Sequence, residues 1–367
     1  MTEPFAALPI RVAVQSRSGD YTIAIANGLI DHLRALLHAA DLEGRPFAIS
    51  SPLVWQFHGR TMTRALPGIE PILVPDGERF KHLQTAARIY EALIHATADR
   101  SSLIIALGGG VIGDMAGFAA ATYLRGVRFV QVPTTVMAQV DAAIGGKVGV
   151  NHALGKNLIG AFYPPRLVVV DPTVLGTLPR REFRAGLYEI VKYGMTSSRA
   201  LFDRFDQNVP AVFARDPSVL VPLITESCRI KAAVVSNDER EAGPRRVLNF
   251  GHTAGHALET VTRYRRFRHG EAVGYGMLVA AELAVARGAL AETERRGLAG
   301  LIAKLGPLPP VGDLSTAHVL DAMRHDKKVT AGRLHVVLTT AIGATTIVDD
   351  VTDAEMTRTL KRIGLRS

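Results

Sequence analysis

Five apolar residues at positions 103–107 run directly into Gly108-Gly109-Gly110-Val111-Ile112-Gly113-Asp114. An uninterrupted apolar run of that length reads as a strand buried on both faces, with a helix opening from the glycines. Gly108, Gly110 and Gly113 match the G-x-G-x-x-G spacing, in which backbone lacking Cβ approaches a pyrophosphate held on the free N–H groups of a helix N-terminus. A bare strand–helix turn would use the same glycines, so the pattern gains its weight from the strand before it and the helix after it. The acidic residue that a plain Rossmann dehydrogenase carries ~20 residues further on is missing, because positions 128–135 hold no Asp or Glu. A dehydrogenase of that kind is disfavoured.

Strand and helix signals alternate through the first half. Strands are expected at 10–14, 21–26, 46–50, 72–74, 129–133 and 167–170, and helices at 28–40 and 82–97. Buried strands alternating with helices predict an α/β domain with a mostly parallel, Rossmann-like sheet. After Thr177-Leu178-Pro179 the strand signals nearly vanish, and helices are expected at 181–193, 219–238, 251–262, 270–287 and 292–305. A short β-like run returns at 334–338, with another at 345–348. The chain of 367 residues thus reads as two domains, an α/β domain over 1–178 and a mostly α-helical domain over 179–367.

Composition narrows the partners. Lys and Arg number 43 against 34 Asp and Glu, a net charge of +9. Nucleic acid is the first partner such a charge suggests. Yet aromatics are only 6%, and no basic run is interleaved with stacking rings. The charge therefore reads as a cationic cleft for a small anion, with no nucleic acid as partner. The densest basic cluster, Arg263, Arg265, Arg266 and Arg268, flanks His269. The single cysteine, Cys228, excludes an intrachain disulfide and any multi-cysteine metal site. Nothing approaches ~20 uninterrupted apolar residues, so no membrane span is expected. The first nine residues include Glu3 and Pro4 and lack the pattern of a secretory leader. A cytoplasmic location is the expectation.

Three further stretches carry chemistry. Asp76-Gly77-Glu78 with Lys81 ends one strand and starts a helix, where carboxylates can hold ribose hydroxyls or simply cap the helix. Pro133-Thr134-Thr135 leads through Asp141 to Gly145-Gly146-Lys147 and Gly155-Lys156-Asn157, two lysines in glycine-rich loops that suit a phosphate or carboxylate. His252 and His256 stand four apart on one helix face, with His269-Gly270-Glu271 downstream and Glu189 upstream. Two or three histidines with one carboxylate make a catalytic zinc set. Spacing alone leaves His256 and His269 as rival ligands.

Taken together, these stretches closely resemble the 3-dehydroquinate synthase family of sugar-phosphate cyclases, over about residues 70–345. The resemblance also rests on Glu189-x-x-Lys192-Tyr193-Gly194, Asn249-Phe250-Gly251-His252-Thr253-x-Gly255-His256 and Asp326-Lys327-Lys328. It implies an N-terminal NAD-binding domain and a C-terminal metal-binding domain, with the active site in the cleft between them. Glu189, His252 and His269 would be the metal ligands (zinc or cobalt), and His256 a substrate contact. The NAD contacts implied are Asp76, Gly77, Glu78, Arg79, Phe80, Lys81, Gly110, Val111, Ile112, Gly113, Asp114, Thr134, Thr135, Val174, Leu175, Gly176 and Thr177. Lys147 and Lys156 would serve both cofactor and substrate. Arg125, Asp141, Asn157, Lys192, Lys231, Arg245, Asn249 and one of Lys327 or Lys328 would complete the substrate cage.

The implied reaction converts 3-deoxy-D-arabino-heptulosonate 7-phosphate to 3-dehydroquinate and phosphate, a step of the shikimate pathway. It proceeds by transient oxidation by NAD, phosphate elimination, reduction, ring opening and aldol closure. Sister cyclases would keep the cofactor and metal sites but change the cage. An iron-type alcohol dehydrogenase would lack Lys147, Lys156, Asn157 and Arg245 in these settings. The chain departs from the family pattern at Ala142, Ala143, Tyr188 and Ala254, all beside implied site positions. A homodimer is expected from the resemblance alone.

Overall fold

The computed structural model describes residues 8–241, 243–324, 329–330 and 333–367. Lys327 and Lys328 lie outside the described residues. The chain divides into two units, Met1–Pro179 with Arg215–Arg240, and Arg180–Ala214 with Glu241–Ser367.

The first unit is built on a seven-stranded sheet. Its elements are β1 (Ile10–Val14), β2 (Tyr21–Ile25), α1 (Leu33–Ala39), β3 (Pro46–Ser50), α2 (Pro52–Ala65), β4 (Glu70–Leu73), α3 (Leu83–His95), β5 (Leu103–Gly108), α4 (Gly110–Thr122), β6 (Arg128–Pro133), β7 (Lys147–His152), β8 (Gly155–Phe162) and β9 (Leu167–Val170). The sheet order is β1-β2-β9-β6-β5-β3-β4. Every neighbouring pair is parallel except β1 with β2. Alternate side chains feed two cores, as a sheet covered on both faces requires. Ile104 and Ala106 of β5 pack under α3, α4 and β7. Leu103, Ile105 and Leu107 pack on the opposite face with α1 and α2.

Residues 147–162, expected as glycine-rich loops, form an antiparallel hairpin of β7 and β8. Glycine makes the close pairing possible. A Cβ on Gly149 would stand 2.6 Å from the Ile159 carbonyl oxygen, and one on Gly160 only 2.3 Å from that of Val148. Lys147 therefore opens a strand, and Lys156 with Asn157 lies on its partner.

The second unit is mostly helical. It contains α5 (Arg180–Ser197), α6 (Arg199–Gln207) and α7 (Val209–Phe213). The intervening α8 (Pro217–Asn237), expected in the second domain, belongs to the first unit. It packs along β1, and its Cys228 and Lys231 reach a π-helical turn at Ala138–Ala142. The second unit continues with α9 (His252–Val261), α10 (His269–Ala286), α11 (Glu292–Lys304), α12 (Thr316–Arg324), the short strands β10 (Val329–Thr330) and β11 (Arg333–Leu334), the hairpin β12 (Val336–Ala341) and β13 (Ala344–Val348), and α13 (Asp353–Arg362). Its centre is α10, which packs against α5, α9 and β12. The contact with α5 is at van der Waals closeness. A Cβ on Gly270 would fall 1.8 Å from the Ala185 carbonyl oxygen, so only glycine lets the start of α10 meet α5.

Candidate active site

Parallel strands bring their following loops to one edge of a sheet, and ligands of open α/β sheets bind there. The loop after β4 carries Asp76 to Lys81, the start of α4 after β5 carries Gly110 to Asp114, the loop after β6 carries Thr134 and Thr135, and the turn after β9 carries Val174 to Thr177. The expected NAD contacts thus share one edge of the first unit. The glycine turn lies between a β3 that connects outward to β4 and a β5 that connects the other way to β6, which is the switch point of the sheet. Gly109 caps α4 without a side chain, and the first turn of α4 holds no acid. That end of the helix is suited to an anion. A Cβ on Gly109 would stand 3.2 Å from Thr135 Cγ2 and narrow the notch between the turn and β6.

The buried Lys81 ties this edge to the hairpin. Its ammonium donates to Asp114 Oδ2 and to Asn157 Oδ1, both at 2.5 Å. Burial raises the Asp114 pKa, against the lowering effect of Lys81. Asn157 has a φ of 53°, a left-handed conformation that asparagine tolerates. Its N–H donates to Asn151 Oδ1 at 2.9 Å, and Asn151 Nδ2 donates to Glu78 Oε1 at 2.7 Å. Lys156 Nζ stands 3.7 Å from the same Glu78 oxygen. The sequence reading did not single out Asn151, whose type and position carry no signal before the hairpin register is known. Lys231 of α8 contacts the Asp141 carbonyl and Oδ1, both at 2.6 Å. Arg125 stands apart. It follows the far end of α4, a helix of 13 residues, and so lies about 20 Å along the helix axis from the glycine turn.

In the second unit three imidazoles converge. A nitrogen of each of His252, His256 and His269 lies within 4.8 Å of the others. Glu189 of α5 is fully buried beside them. Its Oε1 is 3.8 Å from His252 Nε2 and 4.0 Å from His269 Nε2. Its Oε2 pairs with the ammonium of Lys192, one turn along α5. Apart from that ion pair, the carboxylate has no hydrogen-bond donor among the described residues. Lys192 balances the charge at Oε2, and Oε1 is left facing the imidazoles, where a bound cation would complete its surroundings.

The outer nitrogens are engaged elsewhere. His252 Nδ1 lies 3.1 Å from the Phe250 carbonyl oxygen, and His269 Nδ1 lies 3.2 Å from Glu259 Oε2. A proton held on each Nδ1 leaves each Nε2 as a bare donor for a metal. Burial lowers the His269 pKa, but the Glu259 and Glu189 carboxylates outweigh it and leave it raised. The pocket therefore favours positive charge. Glu259 was missed by the sequence reading, although its position three residues beyond His256 on the same helix face could have indicated it.

Arg245 is buried on the turn Pro244–Asn249 that precedes α9. Asn249 Nδ2 donates to Glu241 Oε1 at 2.8 Å, a second partner that sequence spacing did not reveal.

The distance from Glu189 to His269 depends on how α5 meets α10, and Glu271 sets that contact. It is fully buried, accepts from the Arg268 backbone N–H at the helix start, and pairs with Arg181 and Arg184 of α5 at 2.7 Å. Burial raises its pKa, but these donors outweigh it and leave it lowered. A depressed carboxylate stabilises the fold above its unfolded pKa, and that contribution is lost as pH falls through the folded value. Glu271→Gln is expected to cost about 3 kcal/mol near neutral pH, and the gap to wild type should close in acid. Urea unfolding at several pH values checks this, and an undiminished gap in acid would refute it.

Known proteins match this arrangement over almost the whole chain. The 3-dehydroquinate synthase N-terminal family description fits residues 71–185, and the 3-dehydroquinate synthase C-terminal description fits residues 186–329. The 3-dehydroquinate synthase of Gloeobacter violaceus is 48% identical over 91% of this chain and 94% of its own. Among solved structures, 2-epi-5-epi-valiolone synthase from Streptomyces hygroscopicus subsp. jinggangensis 5008, with NAD+ and Zn2+ bound, is 27% identical. It superposes with a TM-score of 0.86 and covers 96% of this chain and 99% of that one. A 2-deoxy-scyllo-inosose synthase complexed with carbaglucose-6-phosphate, NAD+ and Co2+ is 25% identical, also at a TM-score of 0.86, and covers 96% of this chain and 100% of its own. On the strength of its near full-length identity to such relatives, the chain belongs to the 3-dehydroquinate synthase family.

Proposed function

We propose that this chain converts 3-deoxy-D-arabino-heptulosonate 7-phosphate to 3-dehydroquinate and phosphate, with NAD and a divalent metal, zinc or cobalt, as cofactors. The observation that carries the reading is the buried Glu189 carboxylate facing two imidazoles whose outer nitrogens are already engaged. That donor set fits a zinc-like ion with a position left for substrate. Glu189, His252 and His269 are assigned as its ligands and His256 as a substrate contact. The acid-free, glycine-lined start of α4 fits a pyrophosphate, and Lys81 and Asp114 stand beside it to receive the rest of the dinucleotide.

When bound, NAD supplies a hydride acceptor that is restored within one cycle, and the metal supplies a Lewis acid for a substrate oxygen. The chain's own residues then bind and orient. Lys147, Lys156, Lys192, Lys231 and Arg245, with Lys327 or Lys328, are assigned to the carboxylate and phosphate of the substrate, and Arg125, at the far end of α4 from the glycine turn, is left out of that set. Asp141 fixes the Lys231 ammonium through two contacts, and Lys81 fixes the Asn157 amide. Groups held in this way before substrate arrives reduce the entropy lost at the transition state. Asn157, Asn249 and His256 are assigned to the substrate hydroxyls.

Among the described residues no helix is long and apolar enough to cross a membrane. The family resemblance supports a homodimer in the cytoplasm, and sedimentation velocity would test the oligomer.

Purified protein supplied with the heptulosonate phosphate, catalytic NAD+ and Zn2+ or Co2+ should release one phosphate per substrate with no net NADH. A chelator should abolish turnover, and either metal should restore it. Stoichiometric NADH would instead favour an alcohol dehydrogenase.

A further inference from the structure

We propose that Gln139 is a positioning residue for the cofactor, acting by holding two strand ends at a fixed separation. The inference rests on the reading that the first unit binds NAD. It starts from a gap in the sheet. Strands β6 and β9 pair only at Val130 with Leu167 and at Gln131 with Val168. Beyond that point β6 continues against β5 to Pro133, and β9 continues against β2 to Val170. The two strands therefore separate at their carboxyl ends, where the ladder can no longer fix their spacing.

The Gln139 side chain takes over that task. It is fully buried, and its Nε2 donates to the Pro133 carbonyl at 3.2 Å and to the Asp171 carbonyl at 3.0 Å. Both partners are acceptors only, so the amide nitrogen must face them. Its Oε1 is buried with no hydrogen-bond partner among the described residues. An acceptor left in that state is tolerated here alongside two good donations.

Each strand end leads straight into an expected cofactor segment. Pro133 precedes Thr134 and Thr135. Asp171 precedes the turn Pro172–Thr177, and its carboxylate accepts from the N–H groups of Gly28, Ile30 and Thr173. The backbone of Gln139 is held as well. Its N–H donates to the Thr135 carbonyl at 2.9 Å, and its carbonyl accepts from the Cys228 thiol at 3.3 Å. One residue thus sets the spacing of two loops proposed to grip one dinucleotide, without itself lying on either loop.

Gln139→Met retains the length of the side chain and removes both donations. The NAD dissociation constant should rise about tenfold, because loops no longer held at a fixed separation must be ordered at the expense of binding free energy. Turnover at saturating NAD should fall less than about threefold, and metal content should match wild type, because α5, α9 and α10 are untouched. Gln139→Asn, one methylene shorter, should weaken NAD by an intermediate factor and decides the matter if Gln139→Met does not fold. Calorimetric NAD titration and elemental analysis on one preparation read both quantities. A purely structural role would lower the melting temperature and leave the NAD dissociation constant of the folded variant at the wild-type value, which overturns the proposal. Failure of wild-type protein to bind NAD would overturn the NAD reading, and this inference with it.

Discussion

His252→Ala is expected to abolish turnover and to strip the protein of divalent metal at equal protein concentration. The variant removes an imidazole whose Nε2 faces Glu189 at 3.8 Å and whose Nδ1 is engaged by the Phe250 carbonyl. Of the assigned ligands it leaves Glu189 and His269, too few for a stable tetrahedral site. The loss in turnover should be at least about a thousandfold, or roughly 4 kcal/mol of transition-state stabilisation. His256→Ala is the control. Its imidazole lies in the same cluster, yet its assignment is to substrate, so that variant should retain metal while losing turnover. Elemental analysis after gel filtration reads the difference. Metal retained by His252→Ala, or lost by His256→Ala, would reverse the assignments of these two residues.

That pair of variants marks where sequence reasoning reached its limit. Periodicity placed His252 and His256 on one helix face, and it placed a strand before the glycines and a helix after them, because both signals are local. It could not separate His256 from His269. How close either imidazole comes to Glu189 depends on how α9 and α10 pack with α5, a helix more than sixty residues away in sequence from His256 and His269. The hairpin of β7 and β8 was illegible for a related reason. Gly149 and Gly160 look like loop formers, and only the cross-strand register shows that each makes room for the opposite backbone. The helix α8 has an ordinary amphipathic pattern, so nothing local records that it returns to β1 and to the turn holding Asp141. Glu259, Glu241 and Asn151 act through partners fixed by packing, and single residues of those types are too common to stand out.

Arg245→Ala is expected to reduce turnover about a hundredfold or more while leaving NAD affinity and metal content near wild type. Arg245 lies on the turn that leads into α9, seven residues before His252, and it is almost fully buried. A guanidinium can bind a carboxylate or phosphate through two parallel hydrogen bonds. Loss of such a charged contact costs about 2–3 kcal/mol, which corresponds to the expected factor in rate. The glycine turn of α4 belongs to the other unit and keeps its residues, so NAD binding should be unaffected. Glu189, His252 and His269 are likewise unchanged in the variant, so the metal should remain. Burial adds a control, because truncating a buried arginine can unfold its surroundings. Melting temperature must therefore be measured on the same preparation. A stable variant with near wild-type phosphate release would remove Arg245 from the substrate cage. So would a collapse of NAD affinity that matches the loss in turnover. Either result would weaken the assignment of a heptulosonate phosphate over the substrates of the sister cyclases, because the family resemblance implies a different cage in those enzymes and Arg245 is one of the residues assigned to this one.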